Sequence, residues 1–298
     1  MRKVKELIGI MKDKASQGKA AILSKRATLS LLRATSHDSF TPPTREQLSM
    51  LLYSGDGSRA TASAVVELLT ERLQRTQSSA VALKCLIGVR HVIKHGSFIL
   101  RDQLPYSGGR NYLNLSKFRD KSSPVRWELS RWVRWYAKHV EQLLWACRSV
   151  GFFLDAAAEE ERASGLTNDE LLREVDALVT VIEGIGGIPD AASTERNKLI
   201  TEIVGLVEED GVAALSEVFV RVKEFGERLE CLSYEELVEV VNVLNRLEKC
   251  REIVMVSERL WESVRELKEK VEVYREQGKT RVRATNSDSF ALTPLPLQ

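Results

Sequence analysis

Large apolar residues recur every three or four positions between Trp127 and Cys147, and this is the strongest structural signal in the chain. Such a period places the residues on one face of an α-helix, where they would be buried. Similar periods occur along the rest of the sequence, and the alternating pattern typical of strands is absent. We therefore predict an all-α fold. The stripe consists of Leu129, Trp132, Tyr136, Val140, Leu143 and Cys147.

Capping signals indicate where several helices begin and end. A Ser or Thr followed three positions later by Glu or Gln can satisfy the free amides of a first helical turn. Gly96 is expected to end a buried helix, and the Gly-Gly-Arg turn at 108–110 separates two further helices. The predicted capping boxes are Thr44 with Gln47, Thr167 with Glu170, and Ser233 with Glu236.

Composition and charge limit the classes of protein function that this chain can belong to. A chain of 298 residues with 43% hydrophobic content can bury one large core or two smaller ones. Its net charge of +2 gives no overall attraction to nucleic acid, although residues 1–33 contain nine basic side chains against two acidic ones. No apolar run approaches the roughly 18 residues that span a bilayer. We therefore expect a cytoplasmic protein whose membrane contact is peripheral.

The four cysteines lie within or beside helical apolar patterns and lack the CxxC spacing of zinc sites. This arrangement favours small buried side chains in a reducing compartment over a disulfide framework. The residues are Cys85, Cys147, Cys231 and Cys250.

Two short motifs hint at enzymatic chemistry, and both have simpler explanations. The segment 55–60 matches G-x-G-x-x-A, but helical patterns flank it, so an interhelical turn with Ser58 as N-cap is the better interpretation. His91 and His95 share a helix face, yet Val92 stands where a catalytic Glu would be needed. Metal sites also require three or four ligands. We predict no catalytic residue, cofactor or metal.

Three stretches of the chain carry family motifs: LLRATSHDSFTPP at 31–43, VALKCLIGVRHVIKHGSFILRDQL at 81–104, and the segment 108–145. In this order they resemble the ANTH domain of the monomeric clathrin-assembly proteins, within the ENTH/ANTH/VHS superfamily, and are most similar to its short plant members. The resemblance covers residues 8–155 clearly and extends more weakly to 275. It implies an irregular right-handed α-solenoid that continues into a C-terminal helical bundle.

The domain organisation is predicted from this resemblance and from composition. The segment DAAAEEERASG at 155–165 has few large apolar residues, so we place a connection there. Residues 1–155 would form the ENTH-like solenoid of an ANTH domain, and 156–277 its helical-bundle part. The segment 278–298 is predicted to be a disordered tail.

Members of the family recruit coat components through short peptides in a long tail. The expected sequences are Asp-Pro-Phe, Asn-Pro-Phe and clathrin-box motifs, and Asp288, Ser289 and Phe290 lack the central proline. Clathrin coat or adaptor proteins are partners that the resemblance implies. Direct clathrin binding by this chain is not expected.

The resemblance also implies a binding site for the head group of phosphatidylinositol bisphosphate. In the family, a basic residue before Ala-Thr and a basic cluster just ahead of a Leu hold the phosphates. Arg33 matches the first position. Alignment on Leu48 puts Glu46 and Gln47 where a basic residue and His are expected, and Arg45 lies one residue early.

Two interpretations of this site remain open. A carboxylate in the first turn of a helix stabilises the helix but opposes an anionic ligand, so Glu46 favours a self-capped helix without ligand. Alternatively, Arg33 and Arg45 bind phosphoinositide, while Lys25 and Arg26 add less selective attraction of on the order of 1 kcal/mol each near anionic lipid. The site prediction comprises these four basic residues.

The N-terminal segment 1–23 is amphipathic. Val4, Leu7, Ile8 and Met11 form an apolar face opposite the lysines. This pattern suits either docking on the solenoid or lying in a membrane interface.

Two function classes follow. The favoured one is a non-enzymatic adaptor of endocytosis and vesicle traffic, located on clathrin-coated pits and vesicles of the plasma membrane and at the Golgi. The resemblance implies that it binds phosphoinositide membrane and an R-SNARE, the latter on the C-terminal bundle. The alternative is a helical protein-interaction scaffold that has lost specific phosphoinositide binding.

Overall fold

The computed structural model describes residues 26–38, 40–104, 111–151, 160–190, 197–252 and 258–288. Every regular element in these ranges is helical, and no strand occurs in them, so the predicted all-α fold is confirmed. The predicted turn at 108–110, the amphipathic segment 1–23 and Lys25 lie outside the described residues.

Eleven α-helices account for most of the described residues, and a short 3₁₀ turn, Leu229–Cys231, joins two of them. The helices are α1 (Arg26–Ala34), α2 (Arg45–Tyr53), α3 (Arg59–Arg75), α4 (Ser79–His95), α5 (Phe98–Gln103), α6 (Pro124–Ser149), α7 (Glu160–Ser164), α8 (Asn168–Ile185), α9 (Lys198–Glu227), α10 (Tyr234–Lys249) and α11 (Glu258–Asp288).

The three predicted capping boxes are present. At the start of α10, for example, the Ser233 hydroxyl accepts a hydrogen bond from the backbone N–H of Glu236, whose carboxylate accepts from the Ser233 N–H. Thr44 with Gln47 and Thr167 with Glu170 form the same reciprocal bonds. Helix α4 ends at His95, and Gly96 follows as its C-cap, as predicted.

The G-x-G-x-x-A segment forms the turn between α2 and α3. Gly57 has a φ of +109°, a conformation that L side chains rarely adopt. The hydroxyl of Ser58 accepts a hydrogen bond from the Thr61 N–H and caps α3. These glycines therefore shape an interhelical turn, as the sequence pattern predicts.

The helices divide into two compact units. The first contains the described residues within 1–155 and 184–210, and the second those within 156–183 and 211–298. Residues 184–210 thus belong with the N-terminal part, whereas the sequence interpretation placed them within 156–277. Hydrogen bonds such as that from the Leu199 N–H to the Phe40 carbonyl, 3.1 Å long, tie them there.

In the first unit, successive helices pack on one another. Helix α1 packs on α2, α3 packs on α1, α4 and α5, and α4 packs along α6. Nearly all side chains of α4 are buried, which makes it the centre of this unit. Trp132 and Tyr136 of α6 are both 0% exposed, so the predicted aromatic stripe is core.

In the second unit, α10 packs against α11. A buried ion network lies among its other helices: the Arg221 guanidinium donates to the carboxylates of Glu174 and Glu217. Arg162 donates to the same Glu174 carboxylate. Each buried charge in this network therefore has an opposite charge beside it, as burial requires.

Two details of the sequence interpretation need correction. Cys85, Cys147 and Cys250 are buried as predicted, but Cys231 is exposed because it ends the 3₁₀ turn, whose buried residue is Leu229.

Helix α11 continues to Asp288, past the predicted end of the helical part at 277. The segment 278–288 contains no proline, and its Lys, Arg and Ala residues favour helix. Residues 289–298 of the predicted tail lie outside the described part.

Candidate functional site

Helices α1 and α2 carry the basic residues that the sequence singled out. The guanidinium carbon of Arg26, at the start of α1, lies 5.2 Å from the centre of the Tyr53 ring, at the end of α2. The two helices therefore run in opposite directions. Arg33, in the last turn of α1, and Arg45, the first residue of α2, lie at the other end of this helix pair, and both side chains are exposed.

The structure separates Arg26 from the other two arginines. Arg45 and Tyr53 are eight residues apart on α2, which corresponds to about 12 Å along the helix axis. Arg26 lies against the Tyr53 ring and so belongs to the far end of the pair. We call the end that carries Arg33 and Arg45 the α1–α2 tip. Lys25 lies outside the described residues.

The first turn of α2 is already satisfied by its own side chains. The Thr44 hydroxyl accepts from the Gln47 N–H at 3.3 Å, and the Gln47 side chain accepts from the Thr44 N–H at 3.0 Å. Glu46 is exposed, and hydrogen bonding with Thr44 and with the helix backbone lowers its pKa. A carboxylate thus sits where an anionic ligand would meet the amides, so a head group at the tip would depend on side-chain charge.

The Ala-Thr pair after Arg33 has a structural role. Ala34 and Thr35 are buried, and the Thr35 hydroxyl donates to the Leu31 carbonyl at 2.6 Å. The Thr35 carbonyl accepts from Arg72 of α3 at 2.7 Å, which anchors the end of α1 to its neighbour. The sequence motif therefore marks a packed helix end that presents Arg33 outward.

A second set of basic side chains, which the sequence interpretation did not single out, surrounds a groove of about 1140 Å³ in the first unit. It lies where α1, the α3–α4 connection and the loop before α6 meet, and we call it the α3–α4 groove. Its basic residues lie in the segments RLQR at 72–75 and RDKSSPVR at 119–126, and nothing in the sequence indicates that these two segments meet. The basic residues along it are Arg72, Arg75, Arg119, Lys121 and Arg126.

The histidine pair on α4 has the character of a packed surface pair. The rings of His91 and His95 lie 4.8 Å apart. Burial, followed by the proximity of His95 and Arg90, lowers the pKa of His91 to about 4. In the described part of the chain, no group of three or more His, Cys, Asp or Glu side chains could hold a metal ion.

The described part of the chain is all-helical and carries the exposed Arg33 and Arg45 at the α1–α2 tip, and comparison with known families shows which class of protein this is. A family model of the ANTH domain matches residues 27–201, which is more than half of the chain. The chain therefore belongs to the ANTH-domain family, and the resemblance found in its motifs is confirmed.

Similar proteins of Arabidopsis thaliana carry a common description. The chain is 49% identical over 264 residues to "Putative clathrin assembly protein At4g40080", covering 83% of this chain and 72% of the relative. It is 34% identical to At5g10410, of the same description, over 75% of this chain and 69% of that one. A third such protein, At5g65370, is 30% identical over 88% of this chain and 94% of its own length.

The described helices offer no membrane span. None of them combines the length with the apolar character that crossing a bilayer requires.

Proposed function

We propose that this chain is a non-enzymatic adaptor of clathrin-mediated endocytosis and vesicle traffic that binds phosphoinositide-containing membrane at the α1–α2 tip. The observation that carries the proposal is the outward position of Arg33 and Arg45 at one end of an ANTH-domain helix pair. The shared description of the relatives as clathrin assembly proteins supports the vesicle role. Guanidinium groups are suited to phosphate because their planar donors match its oxygens.

Binding at the tip should be modest. Glu46 is ionised and lies next to Arg45, so it offsets part of the attraction to a phosphate. The amides of α2 are capped by Thr44, which leaves side-chain charge as the main source of affinity. Exposed charge pairs are individually weak, and salt screens them over about 8 Å at physiological ionic strength.

The test is co-sedimentation with phosphatidylcholine liposomes that contain or lack phosphatidylinositol 4,5-bisphosphate. We expect binding only to the phosphoinositide liposomes, and a reduction of about fivefold or more in the double variant Arg33→Ala, Arg45→Ala. Arg148→Ala provides the matched control because Arg148 is also exposed but lies at the end of α6. Equal sedimentation with both liposome types would contradict the proposal.

A specific observation favours the alternative, a protein-interaction scaffold without lipid specificity. The capping box and Glu46 occupy the helix N-terminus that a head group would otherwise use. If liposome binding is absent while the chain co-precipitates with coat or adaptor proteins, the scaffold is the function.

The remaining expectations are part of the same proposal. An R-SNARE would bind the second unit, and the protein would lie on coated pits and vesicles and at the Golgi. Binding of a purified R-SNARE cytoplasmic segment and fluorescence microscopy of the tagged chain test these points separately. Clathrin coat or adaptor proteins are the partners that we propose for the vesicle role.

A further inference from the structure

The α3–α4 groove concentrates positive charge from three separate segments. Arg72 and Arg75 come from the last turn of α3, Arg119 and Lys121 from the loop before α6, and Arg126 from the first turn of α6. Among the described residues that line the groove, the carboxylates are Glu71 and Asp120. Five cations therefore face two anions in a concave space, which focuses a positive potential.

Both oxygens of the Asp120 carboxylate accept hydrogen bonds from serines in or beside the wall of the groove. One oxygen of its carboxylate accepts from the Ser79 N–H at 2.9 Å and from the Ser79 hydroxyl at 3.2 Å. The other accepts from the Ser122 N–H at 3.1 Å and from the Ser122 hydroxyl at 2.5 Å. Burial opposes its ionisation, but the hydrogen bonds from Ser122 and Ser79 outweigh burial and lower the pKa of Asp120. These bonds fix the loop that carries Arg119 and Lys121 against the start of α4.

Glu71, the other carboxylate along the groove, forms a weak ion pair. Glu71 forms an ion pair of 2.8 Å with Arg75 one turn along α3, and the two side chains are 49% and 80% exposed. Exposed pairs of this kind contribute little, so the Arg75 guanidinium can turn to a ligand at small cost.

The start of α4 adds donors to the same groove. Its N-cap, Ser78, makes no capping bond through its side chain, and the buried Ser78 hydroxyl has no hydrogen-bond partner among the described residues. The first turn of α4 contains no acidic residue, in contrast to α2, where Glu46 occupies that position. The Asp120 carboxylate already accepts from the first amide of α4, at Ser79, so the Ser78 hydroxyl is the unpaired side-chain donor at this helix start.

Positive charge continues beyond the groove along α6. Arg119 and Arg134 both donate to the Phe118 carbonyl, at 2.7 Å and 3.0 Å, so their guanidinium groups are close together. Burial, followed by the charges of Arg119 and Arg131, lowers the pKa of Arg134. The basic surface is therefore wider than the groove itself.

We propose that the α3–α4 groove is a second anion-binding site, separate from the α1–α2 tip, that takes a multiply phosphorylated organic ligand. Leu31, Leu32 and Val81 contribute apolar surface to the groove, which suits the carbon ring of a phosphorylated polyol better than bare phosphate. The basic side chains and the Ser78 hydroxyl supply donors for several phosphate groups. A lipid head group and a soluble inositol phosphate share this chemistry, and experiment separates the two sources.

The decisive variant is Arg75→Glu with Lys121→Glu, because both side chains are exposed and reversal of their charge spares the hydrogen bonds of Asp120. Its matched control is Lys138→Glu with Arg148→Glu, two exposed positions on α6 that lie about 18 and 33 Å along the axis from Arg126. Arg75→Gln with Lys121→Gln is a milder pair should the reversal disturb folding, and circular dichroism checks this.

Calorimetric titration of the full chain with inositol 1,4,5-trisphosphate should give two binding components. The groove variant should lose one of them by tenfold or more, while the control keeps both within twofold. Arg33→Ala with Arg45→Ala should remove the other component. If Arg33→Ala with Arg45→Ala by itself abolishes all binding of the trisphosphate, the groove proposal is overturned and the tip proposal stands. If the groove variant by itself abolishes all binding of the trisphosphate, the tip proposal fails instead.

Liposomes with phosphatidylinositol 4,5-bisphosphate identify the source of the ligand. Weaker sedimentation of the groove variant supports a lipid head group, whereas loss of trisphosphate binding with unchanged sedimentation supports a soluble phosphate. Trisphosphate affinity that is unchanged in the groove variant, or reduced equally in the control, would overturn the proposal.

Discussion

Arg90 and Asp210 form a bidentate ion pair in the core of the first unit, although 120 residues separate them in the sequence. The Arg90 Nη2 lies 2.7 Å from Asp210 Oδ1, and its Nε lies 3.1 Å from Oδ2. The two side chains are 2% and 0% exposed. His139 of α6 contacts the same carboxylate at 3.1 Å, so the pair joins the starting half of α9 to α4 and α6.

Removal of one buried partner should be costly. Asp210→Asn leaves the buried Arg90 charge with only the exposed Glu209 carboxylate as a counter-ion, which should lower the free energy of unfolding by about 3 to 5 kcal/mol. Urea denaturation measures this. Glu209→Gln is the matched control, because Glu209 pairs with the same guanidinium at 2.8 Å but is 56% exposed. A loss as large in the control as in Asp210→Asn would show that burial is not the cause.

The same pair predicts a pH dependence of stability. Burial raises the pKa of Asp210, but hydrogen bonds from His139 and the charge of Arg90 outweigh it, so the folded pKa lies below the ordinary 3.8. A lowered folded pKa means that the stabilisation is present above pH 3.8 and is lost as the pH falls towards the folded value. Wild type should therefore lose more stability than Asp210→Asn between pH 5 and pH 2, as measured by urea denaturation at each pH. Parallel curves would contradict this assignment, since the other carboxylates are common to both proteins.

The aromatic stripe offers a direct test of the core. Trp132 is 0% exposed, so Trp132→Ala should reduce stability by about 3 to 5 kcal/mol through lost burial and an unfilled cavity. Trp127, on the same helix, is 47% exposed, and Trp127→Ala should change stability by roughly 0.5 kcal/mol or less. Thermal unfolding of the two variants makes the comparison. Similar melting temperatures for both would mean that the stripe does not form core.

Local patterns were enough to predict the helices. The capping box of Thr44 with Gln47 and the stop at Gly96 involve residues within one or two turns of each other, so the sequence carries their whole cause. The Arg90–Asp210 pair depends instead on how distant segments pack. No spacing rule connects a residue of α4 with one of α9, and the membership of 184–210 in the first unit was missed for the same reason.

The candidate site was predictable only in part. Arg33 and Arg45 could be found from the motif, because helix ends and capping place them outward. The α3–α4 groove could not, since Arg75, Lys121 and Ser78 come from segments that meet only after folding. A basic residue at a helix end or in a loop is usually just a solvated charge, and its convergence with others is a property of the tertiary structure.

The departure from the family motif at the α1–α2 tip gives the last prediction. Glu46→Lys with Gln47→His should increase binding to liposomes with phosphatidylinositol 4,5-bisphosphate by about tenfold or more, because a repulsive charge is replaced by phosphate donors. The gain should shrink as salt increases.

Gln47 also closes the capping box, so Glu46→Lys alone is the companion variant that keeps the box intact while it removes the carboxylate. It should show most of the gain and lose only the contribution of the Glu46 carboxylate to helix stability, about 0.3 to 1 kcal/mol. Tight binding by wild type that neither change affects would mean that the head group lies elsewhere, and that Arg33 and Arg45 are solvated charges.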